Sequence, residues 1–367
     1  MIGTGRIIME QLENIAGMLD LMVRPAFCVK DGVIAGVNQG ARSCLIDTDT
    51  PIRDLLHTGL EEYSEFSDGC LYLTLNIQGR PMGASVTKQA GFDIFILEQD
   101  ADRAELSAMA LAAQELREPL SSVLTVADRL FPMVCEDAAS QDQISRINRG
   151  LYQILRTISN MSDAARYQAE TEGILEIRNI TAVMEEIFQN SAALIGQAGI
   201  TVRFHNLSQP LYMLLDQEKL ERAIHNILSN AMKFTPKDGF IDARVTIRDT
   251  KLYLTVQDSG TGVDPALRSG IHSRYLRQPG LEDGRFGIGL GMVLIRAAAS
   301  VHGGVVLMEH PDQGGTRITV TMNIRQDTGG AIRSPIMKVD YSGERNHALI
   351  ELSDGLPAEL YKKETIN

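Results

Sequence analysis

The hydrophobic pattern changes period twice along the chain. Up to about residue 100, short apolar runs alternate with turn residues: AFCVKDGVIAGVN (26–38), CLYLTLNIQG (70–79) and GFDIFILEQD (91–100). Runs of this length bounded by Gly, Asp and Asn read as strands, and Lys30-Asp31-Gly32 reads as a hairpin turn. A small mixed α/β domain with an antiparallel sheet is expected over 1–100. From 101 to about 168 the period lengthens. Leu106, Met109, Ala113, Leu116, Leu120, Val123, Ala127 and Leu130 are spaced alternately by three and four, and so are Ile144, Ile147, Leu151, Ile154, Ile158, Met161 and Ala165. This repeat predicts two heptad helices joined by a link around Phe131–Asp142 that contains Pro132. A single hairpin can bury its two stripes against each other, but a parallel or four-helix dimer buries more, so a homodimer through this hairpin is expected.

Between 172 and 325 strands and helices alternate. Strand-like runs are ILEIRNI (174–180), ITVRFHN (200–206), VVLMEH (305–310) and TRITVTMNI (316–324), with a hairpin IDARVTIRDTKLYLTVQD (241–258) turning at Asp249-Thr250. Helical stretches fall near 181–197, 217–233 and 289–302. The expected arrangement is an α/β sandwich with a mixed sheet. Residues 326–367 form a tail that opens on QDTGG and holds one strand candidate, HALIEL (347–352), with no assigned role.

At 367 residues the chain is long enough for two or three domains of about 150 residues each. Its 35 Lys and Arg against 47 Asp and Glu give a net charge of −12, which repels nucleic-acid backbones and anionic lipid. With no long apolar run and no signal-peptide pattern, a cytoplasmic protein without a membrane span is expected. Cys28, Cys44, Cys70 and Cys135 form no CxxC pair and read as reduced, partly buried thiols.

Three clusters carry chemistry. In HNILSNAMKFTP (225–236), Asn226 and Asn230 share a helix face, and Lys233 adds a positive charge one turn on. Amide carbonyls are hard oxygen ligands suited to Mg²⁺ beside phosphate. In VQDSGTGVD (256–264), a strand ends at Asp258, and Gly260 and Gly262 allow close backbone approach to a ligand. In GRFGIGLGMVLI (284–295), Gly287, Gly289 and Gly291 open a helix whose N-terminus favours anions. The polar residues SRYLRQPGLEDGR before these glycines exclude a dinucleotide fingerprint, which needs a strand there.

In this order the clusters, with VHGG (301–304) and GGTRITVTM (314–322), resemble the ATP-binding domain of sensor histidine kinases, which shares its fold with gyrase. The resemblance covers about 101–325. It implies an α+β multidomain protein: a PAS-like sensor domain (1–100), a two-helix dimerisation and phosphoacceptor-like hairpin (101–168), an α/β sandwich ATP-binding domain of the histidine kinase/gyrase type (172–325) and a C-terminal extension (326–367). It further implies ATP and Mg²⁺ as cofactors, with Asn230 on the metal, Asn226 and Lys233 near the phosphates, and Asp258 on the adenine amine. Gly260, Gly262, Gly287, Gly289, Gly291 and Thr316 would shape the pocket. Residues 263–286 would form a lid in which Arg277 reaches the γ-phosphate and His272 replaces the family's first aromatic.

One departure bears on activity. The family's phosphoacceptor motif, His-Glu-Leu-Arg-Thr-Pro-Leu, reads here Gln114-Glu115-Leu116-Arg117-Glu118-Pro119-Leu120. Glu115 keeps the acid/base position. An imidazole near pKa 6.5 can attack phosphorus, whereas the delocalised lone pair of a glutamine amide cannot. Glu118 stands where the family uses Thr or Asn to position water, and no histidine occurs between residues 58 and 204. The resemblance implies a protein-histidine kinase class, while Gln114 implies that self-phosphorylation at the usual site fails. The alternatives are a non-catalytic ATP-dependent switch acting on a response regulator or partner kinase, and phosphorylation of another protein.

Overall fold

In the computed structural model, residues 14–134, 138–169, 173–262, 290–326 and 346–362 are described. After a helical segment over 14–20 (α1), the chain forms β1 (Ala26–Lys30), β2 (Val33–Val37), α2 (Gln39–Ser43), α3 (Leu60–Glu65), β3 (Cys70–Ile77), β4 (Arg80–Gln89) and β5 (Phe92–Leu97). The β1–β2 turn falls on Asp31 and Gly32, both at positive φ, which a two-residue hairpin turn requires. Gln78-Gly79 and Ala90-Gly91 repeat the device on either side of β4, a strand the hydrophobic pattern hides because Pro81 and Gly83 interrupt it. Cys28 and Cys70 are buried, and burial pushes both thiols up, away from reactivity; Cys135 lies outside the described residues.

Two long helices follow, α4 (Asp100–Val134) and α5 (Ala138–Ala169). They correct the expected link over Phe131–Asp142, because helix continues past Pro132 and resumes at Ala138. The proline falls in the last turn of α4, where its local penalty is outweighed by the packing of α4 on α5. The heptad stripes divide into two columns. Leu106, Ala113, Leu120 and Ala127 of α4, with Ile144, Leu151 and Ile158 of α5, are buried. Leu116, Val123, Leu130, Ile147 and Ile154 remain 49–52% exposed. One hairpin therefore satisfies half of the pattern.

The next part comprises β6 (Glu176–Asn179), α6 (Ile180–Gln197), β7 (Thr201–His205), β8 (Tyr212–Leu215), α7 (Gln217–Phe234), β9 (Phe240–Arg248), β10 (Lys251–Asp258), α8 (Gly291–Val301), β11 (Val306–Glu309) and β12 (Arg317–Asn323). The strands form one ten-stranded sheet in the order β2-β1-β5-β4-β3-β11-β12-β10-β9-β7, beside a small β6-β8 pair. The junction is antiparallel, with Leu71 opposite Leu307 and Tyr72 opposite Val306. Alternation along β3 sends Leu71, Leu73 and Leu75 into the first core and Cys70 and Tyr72 into the second. Val305 and Leu307 reciprocate by packing on the first core. Lys251 bridges to Glu61 and Glu62 at 3.0 and 2.9 Å, and Arg296 pairs with Glu98 while its guanidinium lies over the Tyr72 ring. Among the described residues no helix is long and apolar enough to cross a membrane.

The tail departs from expectation. HALIEL is not a strand but a short helix, α9 (His347–Glu351), N-capped by Asn346, whose side chain accepts from the Leu349 N–H, and followed by a 3₁₀ turn at Ala358–Tyr361. A short apolar run does not declare its own period. Here Leu349, Ile350, Leu352, Leu356 and Tyr361 are all buried in the core shared with α5 and α7. Glu351 descends with them and pairs with Arg222 of α7 and Arg156 of α5. Burial pushes the Glu351 carboxyl up, but the two guanidiniums outweigh it and hold it at about 2.

Replacing that carboxylate takes one of two anionic partners from each buried guanidinium, since Arg222 keeps Asp163 and Arg156 keeps Asp354. Glu351→Gln is expected to lower the opening free energy of α9, read by amide hydrogen exchange at neutral pH, by about 3 kcal/mol. Because the folded pKa is depressed from 4.5 to about 2, the parent protein's advantage is complete above pH 4.5 and shrinks as pH falls toward 2.

Candidate functional site

Helix α7 starts at its N-cap Asp216, whose Oδ1 accepts the Lys219 N–H at 3.1 Å. Leu220, Ala223, Ile224, Ile227, Leu228 and Ala231 commit one face to the core. The opposite stripe reads Arg222, Asn226, Asn230 and Lys233, spaced by four, four and three. Asn226 is 2% exposed; its Nδ2 donates to the Arg222 carbonyl at 2.8 Å and its Oδ1 accepts from Arg156 at 3.4 Å. Gly291, the first residue of α8, lies so close that a Cβ there would stand 3.1 Å from Asn226 Oδ1. Asn230 is partly exposed on the same stripe. Lys233 Nζ meets Asp354 of the tail at 2.8 Å, and Asp354 also pairs with Arg156. Burial pushes the Asp354 carboxyl up, but Arg156 and Lys233 overcome it and hold it below the usual range.

The second wall is the end of β10. Asp258 is buried, and its Oδ1 accepts the N–H groups of Gly260 at 2.8 Å and Thr316 at 3.2 Å. Burial raises this carboxyl, and the two backbone donors work against the rise. Gly260 passes against the C-terminal end of α7: a Cβ would stand 2.5 Å from the Phe234 carbonyl. Gly262, at φ +71, lies against Gly315. At these turns the chain packs backbone against backbone with no room for a side chain.

The structure thus brings Asn226, Asn230, Lys233, Asp258, Gly260, Gly262, Gly291 and Thr316 to one end of the sheet. Arg277, Gly287 and Gly289, with lid residues 263–286, lie outside the described residues. Gln114, Glu115 and Glu118 are exposed on α4. Reading the sequence missed Arg156, Arg222 and Asp354. A buried arginine on an amphipathic helix looks like any polar position, and what marks these three is charge complementarity between segments far apart in the chain.

Residues 215–326 match the family described as histidine kinase-, DNA gyrase B-, and HSP90-like ATPase. Over 243 residues, 64% of this chain and 25% of the relative, the chain is 28% identical to the sensor histidine kinase TmoS of Ectopseudomonas mendocina. Over 246 residues, 62% of this chain and 40% of the relative, it is 28% identical to the histidine protein kinase DivJ of Caulobacter vibrioides. The chain thus spans less than half the length of either. Among solved structures, full-length ShkA in complex with AMPPNP aligns with a TM-score of 0.49 at 22% identity, covering 61% of this chain and 47% of that one.

Gly260→Ala forces the loop off the Phe234 carbonyl and stretches the Asp258 hydrogen bond. It is expected to destabilise the fold by about 1–3 kcal/mol, read as a lower midpoint in urea.

Proposed function

Since the chain belongs to the histidine kinase-type family through its ATPase domain, we propose that it is a signalling protein that binds Mg-ATP between α7 and the glycine turns, and that it does not phosphorylate itself at the usual position. The observation that carries the nucleotide reading is Asp258. Its buried carboxylate is fixed by two backbone donors at a glycine-lined mouth, beside the polar stripe of α7. That carboxylate would accept from the adenine amine, Asn226 and Lys233 would face the phosphates, and Asn230 would hold Mg²⁺ with its hard amide oxygen. The α8 N-terminus opens at Gly291 without a side-chain cap from Leu290, and the first N–H groups of a helix are of the kind that receive phosphate. Bound ATP would supply a transferable phosphoryl group; Gln114, exposed on α4, offers only an amide nitrogen whose delocalised lone pair is no nucleophile.

The half-exposed column of Leu116, Val123, Leu130, Ile147 and Ile154 supports a homodimer through α4 and α5. Covering each of these side chains is worth roughly 1 kcal/mol. Residues 1–100 fit a PAS-like sensor, and the shared sheet gives it a direct mechanical path to the ATPase domain.

A second reading, an ATP-dependent switch that transfers nothing, is favoured by the ion pair between Lys233 and Asp354 and by the bond between Arg156 and Asn226. The tail carboxylate sits where the nucleotide's phosphates would draw Lys233. Binding would therefore displace Asp354 and release Arg156, carrying the event to the hairpin, where a response regulator or partner kinase would read it.

Calorimetry with a non-hydrolysable ATP analogue and Mg²⁺ is expected to show saturable binding, weakened at least tenfold in Asp258→Asn and tightened about tenfold in Asp354→Ala, where the internal competitor is gone. Absence of binding would overturn the nucleotide reading, and an unchanged affinity in Asp354→Ala would overturn the displacement. Incubation with labelled ATP should leave the purified protein without acid-labile label, while Gln114→His gains it; stable label on the parent would defeat the loss of autokinase activity.

A further inference from the structure

The face of α7 next to the nucleotide stripe carries groups that neither the fold nor the proposed activity uses. Glu221 and His225 are four residues apart and share that face, and docking of α9 brings His347 against them. One ligating atom from each of the three residues lies within 4.8 Å of the other two. His347 Nδ1 is 3.1 Å from Glu221 Oε1, and the two imidazole rings meet edge to face at 6.0 Å. We propose that Glu221, His225 and His347 bind a divalent first-row transition-metal ion, with zinc the ion the donor set suits, which fastens the carboxy-terminal segment to α7.

His225 is the strongest independent pointer. It is 2% exposed, and both of its ring nitrogens are buried without a hydrogen-bond partner among the described residues. A buried imidazole left unsatisfied on both nitrogens is costly, and folded proteins rarely carry one without a use. Burial also holds its pKa down to about 4, so at neutral pH the ring is uncharged and has a lone pair to donate. A cavity of about 320 Å³ opens beside the trio, with Glu186, Gln217 and Asn346 also in its wall. It offers an entry path and room for a water as the remaining ligand, the arrangement of a three-ligand site with an open position. Two imidazoles and one carboxylate favour borderline ions of the zinc kind over Mg²⁺, which prefers oxygen. Glu351 and Arg222 both lie within electrostatic reach of the two imidazoles and act with opposite sign.

Spacing gives the site its role. His347 opens the segment that carries Glu351 and Asp354, so an ion here shifts the equilibrium toward the docked tail. The site uses no residue assigned to the nucleotide, so its test stands apart from that of the proposed function.

The test is a titration of the metal-free 367-residue chain with Co²⁺, followed optically, and with Zn²⁺ in competition with a chromophoric chelator. One equivalent is expected, with visible ligand-field bands of nitrogen and oxygen ligation and slower hydrogen exchange in α9. His347→Ala and Glu221→Gln, both at partly exposed side chains, should each weaken binding about a hundredfold while circular dichroism stays unchanged. Mg²⁺ should not compete. A thiolate-to-metal charge-transfer band, unaltered affinity in both variants, effective competition by Mg²⁺, or no saturable uptake would each overturn the proposal.

Discussion

Two arginines set the terms for the rest of this molecule. Arg156 and Arg222 come from α5 and α7, and both are almost fully removed from water. A guanidinium cannot be left in such a place without an anion. Asp163 of α5 answers part of that requirement for Arg222, and Glu351 and Asp354 answer the rest, which holds the tail between α5 and α7. The same network takes in Lys233 and Asn226. The helical hairpin, the α7 stripe and the tail are thus one electrostatic unit: a change of charge at any member is felt by the others, because the low dielectric of the interior leaves little solvent to screen it.

A second constraint acts through the backbone. β3 and β11 would each expose a row of unpaired peptide groups if they were sheet edges, and pairing with one another removes both edges. The cost is independence. Leu71 and Tyr72 point into different cores from adjacent positions, so movement of the first five strands strains the packing of the last five. The ion pairs of Lys251 and Arg296 hold the same boundary from its two sides. Such a continuous sheet transmits a rigid-body tilt between the two cores better than a flexible linker would.

Much of this architecture was legible in the residues. The Asp31-Gly32 turn, the heptad helices, the amphipathic face of α7 and the hairpin at Asp249 are local, and local pattern dictates them: strand alternation, helical period and positive φ each leave a mark within a few positions. Asn226, Asn230 and Lys233 were equally plain as one stripe, because helical spacing puts them on the same face of α7. Errors arose where local signals were mixed. Pro132 suggested an early end to α4, and the apolar run from His347 had no period of its own, so its form was left to whatever it packed against.

What the sequence determined by itself is the menu: which segments are helix or strand, and which helix stripe is polar. The tertiary structure alone decided that β3 pairs with β11, that Leu116, Val123, Leu130, Ile147 and Ile154 of the heptad stripes stay half-exposed, that Asp354 reaches Lys233, and that His347 meets Glu221 and His225. These partners lie many residues apart. The free energy that joins them, from desolvated charge and matched apolar surface, depends on distances in space that no local spacing encodes.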